Sequence, residues 1–371
     1  ISIFVLTLSC ALGWVVAKIS LKLKNKSFIT VVISLVFFAI YYFFCFRAQT
    51  IISDFVANAV TYGEKIKGAA YPIYLFGCVA LGNGKAMAVV TAVVLALFGV
   101  MWLLLGRSFL KIATSSGKTE RRMYRETRTQ RKSIGAALLG KEFARFLSSP
   151  NYMLNCGLGV LLLPISGIVL LIKGRDLMPM LAMAFDNQPG SAAVLLCTAV
   201  CVVASMNDMA APSISLEGKN LWLLQSLPVK PWQALRAKLS VQLLLTSIPA
   251  LFASVCAAIA GGLSAIETLL TLLVPQAVIL MMALLNLTVG LKMPNLTWTS
   301  EIVPIKQSAS VMIGLLGGMI YGILPIAGFL MFGHRMGANA YMACFMALTL
   351  AISAGLYVWL KKKGGAAFAA L

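Results

Sequence analysis

The sequence predicts an all-α polytopic membrane protein. Hydrophobic residues make up 60% of the 371 residues and charged residues only 11%, which is far from the balance of a soluble domain. Mean hydropathy is +0.92. Apolar runs that can cross a hydrocarbon core of about 30 Å recur along the whole chain. They predict about nine transmembrane helices, at residues 1–17, 28–46, 86–106, 153–172, 191–206, 239–261, 266–290, 308–332 and 339–360.

The distribution of lysine and arginine predicts how these helices are oriented. The net charge is +20, but the 31 basic residues divide between alternate loops as 24 on one side and 7 on the other. Such a division is the positive-inside pattern, so the richer side is predicted to be cytoplasmic, and the C-terminus with it. The charge therefore reflects topology, and we expect no nucleic-acid partner.

Residues 1–106 hold the first three predicted spans and an outer segment. The chain opens inside an apolar run with no initiator Met, which we interpret as a fragment that lacks an N-terminal part. The outer segment, residues 47–85, begins with a helical face at residues 51–59. It then contains a stretch too short to span, which we expect to be a re-entrant or interfacial hairpin broken at Pro72. This hairpin is either an extracellular gate or a plug of the outer end of the bundle.

Residues 107–137 form a basic cytoplasmic linker. Four basic residues at helical spacing predict a stripe that suits anionic lipid, although a solvated topogenic loop explains them as well: Arg121, Arg125, Arg128 and Lys132. The triplet Gly117-Lys118-Thr119 is not a phosphate-binding loop, because Ile112 stands where that motif needs glycine.

An amphipathic helix is predicted from Leu138 onwards. Its apolar side includes Phe143 and Phe146, while Lys141 and Glu142 lie elsewhere. Ser149 then stands where an N-cap belongs, with Pro150 at the first position of the next helix. We therefore expect an elbow helix that lies on the inner surface and leads into a span.

A polar interruption at residues 213–238 separates two apolar runs. Good helix formers from Leu221 onwards predict a short helix that ends before Pro228, and a second helix is expected from Pro231 into the next span. One interpretation is an interfacial helix lying on lipid; the other is a helix that docks on a soluble partner. The residues expected to form that docking surface are Glu217, Gly218, Lys219, Leu221, Trp222, Leu224, Pro228 and Trp232.

The elbow sequence KEFARFLSSPNYMLN, six following spans and the segment EGKNLWLLQSLPVKPW resemble the membrane subunit of a type-2 ABC exporter. The chain is similar in particular to the large bacterial permeases that fuse two six-helix units. On that resemblance, residues 138–363 are a complete second unit and residues 1–106 are the last three helices of the first. The location that it implies is the bacterial cytoplasmic membrane.

The resemblance also implies partners. Residues 213–238 would be the coupling helix that docks on a separate ABC ATPase subunit, present in two copies. The chain itself would hold no cofactor and would not be an enzyme, since ATP and Mg²⁺ would bind to the partner. Membrane lipid and an unidentified transported substrate complete the expected partners.

Two other classes of function stay open. A secondary, ion-coupled transporter would show charged or broken helices at mid-membrane, and an integral-membrane transferase would have to use loop carboxylates. The single histidine, His334, excludes a histidine-based zinc motif. Four amides within the spans either line a substrate path or form interhelical hydrogen bonds: Asn155, Gln242, Gln276 and Asn286.

Overall fold

The computed structural model describes residues 2–20, 26–58, 68, 71–114, 132–184 and 188–371. Within those ranges the regular structure is helical and contains no strand. The chain divides into two compact units, Ile1–Thr129 and Gln130–Leu371. The basic residues Arg121, Arg125 and Arg128 and the triplet at 117–119 lie outside the described residues. The limits predicted from the sequence, 1–106, 107–137 and 138–363, stay predictions.

Four helices form the described part of the first unit: α1 Ser2–Ser20, α2 Lys26–Ala57, α3 Tyr71–Ala80 and α4 Gly84–Thr114. Helices α1 and α3 both pack against α4. The Trp14 indole donates a hydrogen bond to Ser108 Oγ at 2.8 Å, which joins α1 to the far end of α4.

The outer segment differs from its prediction at Pro72. Helix α2 continues to Ala57, so the helical face expected from residue 51 extends the span. Pro72 lies in the first turn of α3, where its missing N–H breaks no helical hydrogen bond. It therefore begins a ten-residue helix instead of breaking a hairpin.

The second unit begins with α5 Ile134–Ser148, α6 Pro150–Cys156, α7 Leu158–Ala184 and α8 Ser191–Ser205. A 3₁₀ helix at Ser215–Asn220 and the short α9, Leu221–Ser226, follow. The unit continues with α10 Pro231–Gly261, α11 Ala265–Lys292, α12 Ala309–Met336 and α13 Ala338–Trp359. It ends in α14, Gly365–Ala369.

A polytopic membrane protein is confirmed, whereas the count of nine spans is not. Six helices of the described residues are long and apolar enough to cross a membrane. Helices α6 and α7, bent by 53° at their junction, make a seventh if they count as one span. The apolar helices Ser2–Val15 and Ser191–Ser205 occupy two further predicted spans but are shorter.

The core of the second unit is built around α10 and α11. Helix α10 packs against α7 and α11, α11 packs against α13, and α12 packs against α8. One apolar cluster at the end of the bundle that carries α9 joins Leu138 of α5, Leu235 of α10 and Leu287 of α11. Apolar side chains of residues 213–238 pack in this cluster.

Candidate coupling site

Residues 213–238, called the coupling segment from here on, have the predicted helices. Helix α9 ends at Ser226, and Leu227 is extended before Pro228 as expected from the steric effect of proline on the preceding residue. Pro231 is in the first turn of α10, which runs without interruption into the apolar span. Lys219 and Asn220 are exposed.

Gly218 permits the turn that brings the 3₁₀ helix under α9. Its φ of +54° lies in the left-handed region, which side chains rarely adopt. The Trp298 ring lies over it, so a Cβ atom would be 3.2 Å from that ring. Trp298 Nε1 in turn donates to Ser215 O at 2.6 Å and fixes the ring there.

A cluster of five charged side chains, three of them buried, holds the coupling segment, and we call it the charged anchor: Lys141, Glu142, Arg145, Glu217 and Lys238. Lys238 is at its centre, with a side chain that is 0% exposed. Its Nζ donates to Glu217 Oε1 at 2.7 Å, to Glu142 Oε1 at 3.0 Å and to Ser213 O at 2.9 Å. All three ammonium protons of the lysine thus have acceptors.

Two basic residues of α5 complete the charged anchor. Arg145 Nη2 donates to Glu217 Oε2 at 2.6 Å, and Nη1 lies 3.4 Å from Glu142 Oε2. Lys141 Nζ lies 3.0 Å and 3.2 Å from the two oxygens of Glu217. The anchor therefore joins the elbow helix α5, the 3₁₀ helix and α10 through one carboxylate.

The ionised form of Glu217 is strongly favoured. Burial alone would raise the pKa of this carboxyl, because a charged group loses its hydration inside a protein. The hydrogen bond from Arg145 and the positive charge of Lys238 outweigh that effect and hold the pKa well below its usual value. Glu217 thus stays ionised within the anchor.

The expectation that Glu217 is solvent-exposed at the rim of a docking surface is therefore wrong. Its side chain is only 3% exposed, because basic residues of α5 and α10 enclose it. Arg145 lies 72 residues before Glu217 and Lys238 lies 21 residues after it, so the residues next to Glu217 do not reveal its partners.

The exposed face of α9 also differs from the prediction. Leu221 and Leu224 are each 4% exposed and belong to the apolar cluster beneath the segment. Trp222 is 61% exposed, and Leu223 and Leu227 are exposed beside it. The exposed apolar side chains of α9 and of the residue after it are therefore Trp222, Leu223 and Leu227, which we call the α9 face.

Two further contacts define the surroundings of α9. Gln225 Nε2 donates to Phe368 O at 2.9 Å, so the terminal helix α14 closes against α9. Trp232 is half-buried and packs edge-on against Tyr357 of α13, with ring centroids 5.5 Å apart. Trp232 thus contacts the bundle and is not a free interfacial anchor.

The helix predicted from Leu138 onwards is present as α5, whereas its place on the inner surface stays a prediction, and Glu142 is buried on the apolar side instead of lying away from it. Helix α5 has Ser133 as its N-cap and buries Leu138, Glu142 and Phe146. Ser149 caps the next helix by accepting from Tyr152 N, and Pro150 follows in its first turn. Phe143 is partly buried and packs in the cluster around Phe146.

The four amides make protein hydrogen bonds. Gln242 accepts from Ala210 N at 2.9 Å, donates to Asn207 O at 2.7 Å and lies 3.4 Å from Asn286 Nδ2. Gln276 donates across helices to Ser247 O, and Asn155 donates within its own helix to Asn151 O. Three of the four are thus used in interhelical bonds, and Gln242 fixes the start of the loop after α8.

A buried polar pair directly after α8 was missed by the sequence reasoning. Asn207 and Asp208 are each only 1% exposed. Both polar atoms of the Asn207 side chain and both carboxyl oxygens of Asp208 lack a hydrogen-bond partner among the described residues. The sequence does show an acid just beyond an apolar run, but an acid at that place is typical of a solvated loop.

Comparison with known proteins assigns the chain to a family. A family model described as membrane protein of 12 TMs matches residues 1–358. The chain belongs to this family. No curated protein and no solved structure has a significant match to it. Membership of the 12-TM membrane proteins agrees with the many apolar helices and indicates a transporter-like role.

Proposed function

We propose that the chain is the membrane-spanning permease subunit of an ATP-driven ABC exporter, coupled to a separate ATPase through residues 213–238. The observation that supports this best is how the coupling segment is mounted. Its α9 face is exposed, while Glu217 at its other end is fixed in the charged anchor. A surface that is open on one side and rigidly joined to the bundle on the other suits the transmission of force.

The contacts of the segment determine which helices would receive a force applied to α9. Leu221 and Leu224 pack in one cluster with Leu235 of α10 and Leu291 of α11. The charged anchor adds α5 through Arg145 and Glu142. A push on α9 therefore reaches three helices, and a change in their tilt is the kind of movement that alternating access requires.

The chemistry of the partner follows from the α9 face. Trp222, Leu223 and Leu227 would fill an apolar groove on the ATPase, each large side chain stabilising the complex by roughly 1.5–3 kcal/mol. Exposed Lys219 at the edge would contribute less, about 0–1 kcal/mol, because it stays hydrated. The exported substrate is unidentified, and the direction of transport rests on the resemblance to exporters.

An ion-coupled transporter is the second candidate. It is favoured by the buried acid Asp208, which lies beside the sharp bend between α6 and α7. Broken helices and buried acids are the features that such transporters use for coupling ions.

Photo-cross-linking tests the proposal. A photoreactive amino acid at position 222 or 223 should capture an ATPase, identified by mass spectrometry of the cross-linked product. That ATPase, purified, should hydrolyse ATP faster in the presence of the chain in nanodiscs. Trp222→Ala should remove this stimulation.

Trp102→Ala is the matched control, since Trp102 is 70% exposed on α4 and lies outside the coupling segment. It should leave the stimulation unchanged. If Trp222→Ala only lowered the thermal stability in lipid and left ATPase association at the wild-type level, the interfacial interpretation of α9 would replace the docking one.

A further inference from the structure

The loop after α8 holds the Asn207–Asp208 pair in a fixed position. Asp208 N donates to Cys156 O at 3.2 Å, which ties the loop to the last residue of α6. Asn207 O accepts from Gln242 Nε2 of α10 at 2.7 Å. Two neighbouring helices thus determine where both side chains lie.

Both side chains lie at the junction of α6 and α7. The Asn207 amide is so close to Gly159 that a Cβ atom there would be 2.8 Å from Asn207 Oδ1. The Asp208 carboxyl lies beside the Cys156 thiol. Cys156 and Gly159 flank the 53° bend, so the polar pair lies against the one sharply bent helix pair of the described residues.

An ionised carboxylate is not stable in such a place without a partner. Burying a charge without compensation is costly, and proteins avoid the cost by pairing the group or by neutralising it. Asp208 takes part in none of the ion pairs of the described residues, and Arg145 and Lys238 are bonded to Glu142 and Glu217 in the charged anchor. Asp208 therefore has no cation among the described residues to neutralise it.

We infer that Asp208, held at the bend between α6 and α7, is a proton-binding site that carries a proton in this conformation. The carboxyl would release it when rearrangement of the bend admits water. Burial raises the pKa of Asp208 to about 7, and the Cys156 thiol offsets part of that effect. The site does not depend on the ATPase proposal, because it needs only this chain.

Two other titratable side chains lie near Asp208, and each also has a backbone acceptor. Among the described residues, Tyr152 and Cys156 of α6 face it. The Tyr152 hydroxyl donates to Met209 O at 2.6 Å, and the Cys156 thiol lies 3.8 Å from Ile305 O. Lys306, next to Ile305, is exposed.

The test is the pH dependence of thermal unfolding of the full chain in detergent, for wild type and Asp208→Asn. Below about pH 4 the carboxyl is protonated in both the folded and the unfolded state. Between about pH 4 and about pH 7 only the unfolded state releases the proton, so wild type loses stability as the pH rises. The variant should gain in Tm over wild type across this range, and the gain should be constant above it.

Asp176→Asn is the matched control, because Asp176 is an exposed aspartate of the same unit. Its Tm should follow wild type at every pH. Infrared spectra give a second readout: a protonated-carboxyl C=O band should titrate near pH 7 in wild type and in the control. It should be missing in Asp208→Asn and should titrate at a changed pH in Asp208→Glu.

Three results would overturn the inference. The first is a Tm difference between wild type and Asp208→Asn that does not vary with pH. The second is the lack of a titrating band in wild type, which decides the matter even if the variant fails to fold. The third is a Tm of wild type, but not of Asp208→Asn, that rises when sodium replaces choline, since that indicates a metal-cation site.

Discussion

Lys238 Nζ lies 2.7 Å from Glu217 Oε1, and both side chains are enclosed by protein. Glu217 belongs to the 3₁₀ helix and Lys238 to the start of α10, with α9 between them. The ion pair closes the coupling segment into a loop whose two ends move together. The charged anchor therefore holds both ends of the segment that carries the α9 face.

Lys238→Met should be among the most destabilising single changes in the second unit. The change removes the shortest ion pair of buried Glu142, and removing one partner of a buried ion pair costs about 3–5 kcal/mol. Lys141→Met removes a partner that is 39% exposed and should cost only about 0–1 kcal/mol. Thermal unfolding in detergent measures both. Adding Glu142→Gln to Lys238→Met should restore part of the loss; a further drop would contradict the charge argument.

Leu224→Ala and Trp222→Ala should separate folding from docking. Leu224 is buried in the apolar cluster, so truncation should cost about 2–5 kcal/mol of stability. Trp222 is exposed, and its truncation should stay within about 0.5 kcal/mol. Parallel unfolding curves of the purified variants check this. If Trp222→Ala were as unstable as Leu224→Ala, Trp222 would contribute to the stability of the folded chain, and the docking interpretation would fail.

The charged anchor should weaken in acid in a defined window. The pKa of Glu217 is lowered in the folded state, so its contribution to stability is complete above the unfolded value of about 4.3. It is lost as the pH falls from there through the folded-state pKa. The Tm difference between wild type and Glu217→Gln should therefore be constant near neutrality and shrink below about pH 4. A difference that grows in acid would reverse the sign of the linkage.

Gly290→Ala should displace the loop that precedes the coupling segment. A Cβ atom at position 290 would collide with Ala211 O, a backbone atom that cannot move alone. Gly317→Ala is the control, since nothing lies within 4 Å of its Cβ position in α12. The first change should lower the Tm, while the second should raise the free energy of unfolding by up to about 1 kcal/mol. Equal effects of Gly290→Ala and Gly317→Ala on the Tm would show that the close approach of Gly290 to Ala211 O is not required.

Membrane sidedness remains a prediction and has a direct test. The distribution of basic residues places Lys219 and Lys362 in the cytoplasm and Lys173 outside. Single cysteines at these positions, in a background without Cys45, Cys78 and Cys344, should react accordingly with an impermeant thiol reagent on intact cells. Labelling of position 219 from outside would reverse the whole topology.

Local patterns predicted local structure well. The Ser149-Pro150 start of α6 and the end of α9 before Pro228 follow from capping and from proline sterics, which act over a few residues. Amphipathic spacing likewise predicted α5. These features need no knowledge of the rest of the fold.

Burial of particular polar groups was not predictable in the same way. Glu217 has the sequence neighbours of an exposed acid, but its partners Arg145 and Lys238 are 72 and 21 residues away. Asp208 is enclosed because α6 and α10 bond to its loop. For both residues, tertiary packing determines the environment of the side chain. The periodicity of the sequence does not predict that environment.

Helix α10 is long enough for a small bend within it to move its start by a large distance. It is a 31-residue rod that begins at Pro231 and contains Pro249, which removes one backbone hydrogen bond and is a natural place for bending. The arm from Pro249 to Pro231 is about 27 Å long at 1.5 Å per residue. A bend of about 10° at Pro249 would therefore swing the start of the helix by about 5 Å. A small angular change at Pro249 would thus become a displacement nearly as large as a helical turn at Pro231, just after the α9 face.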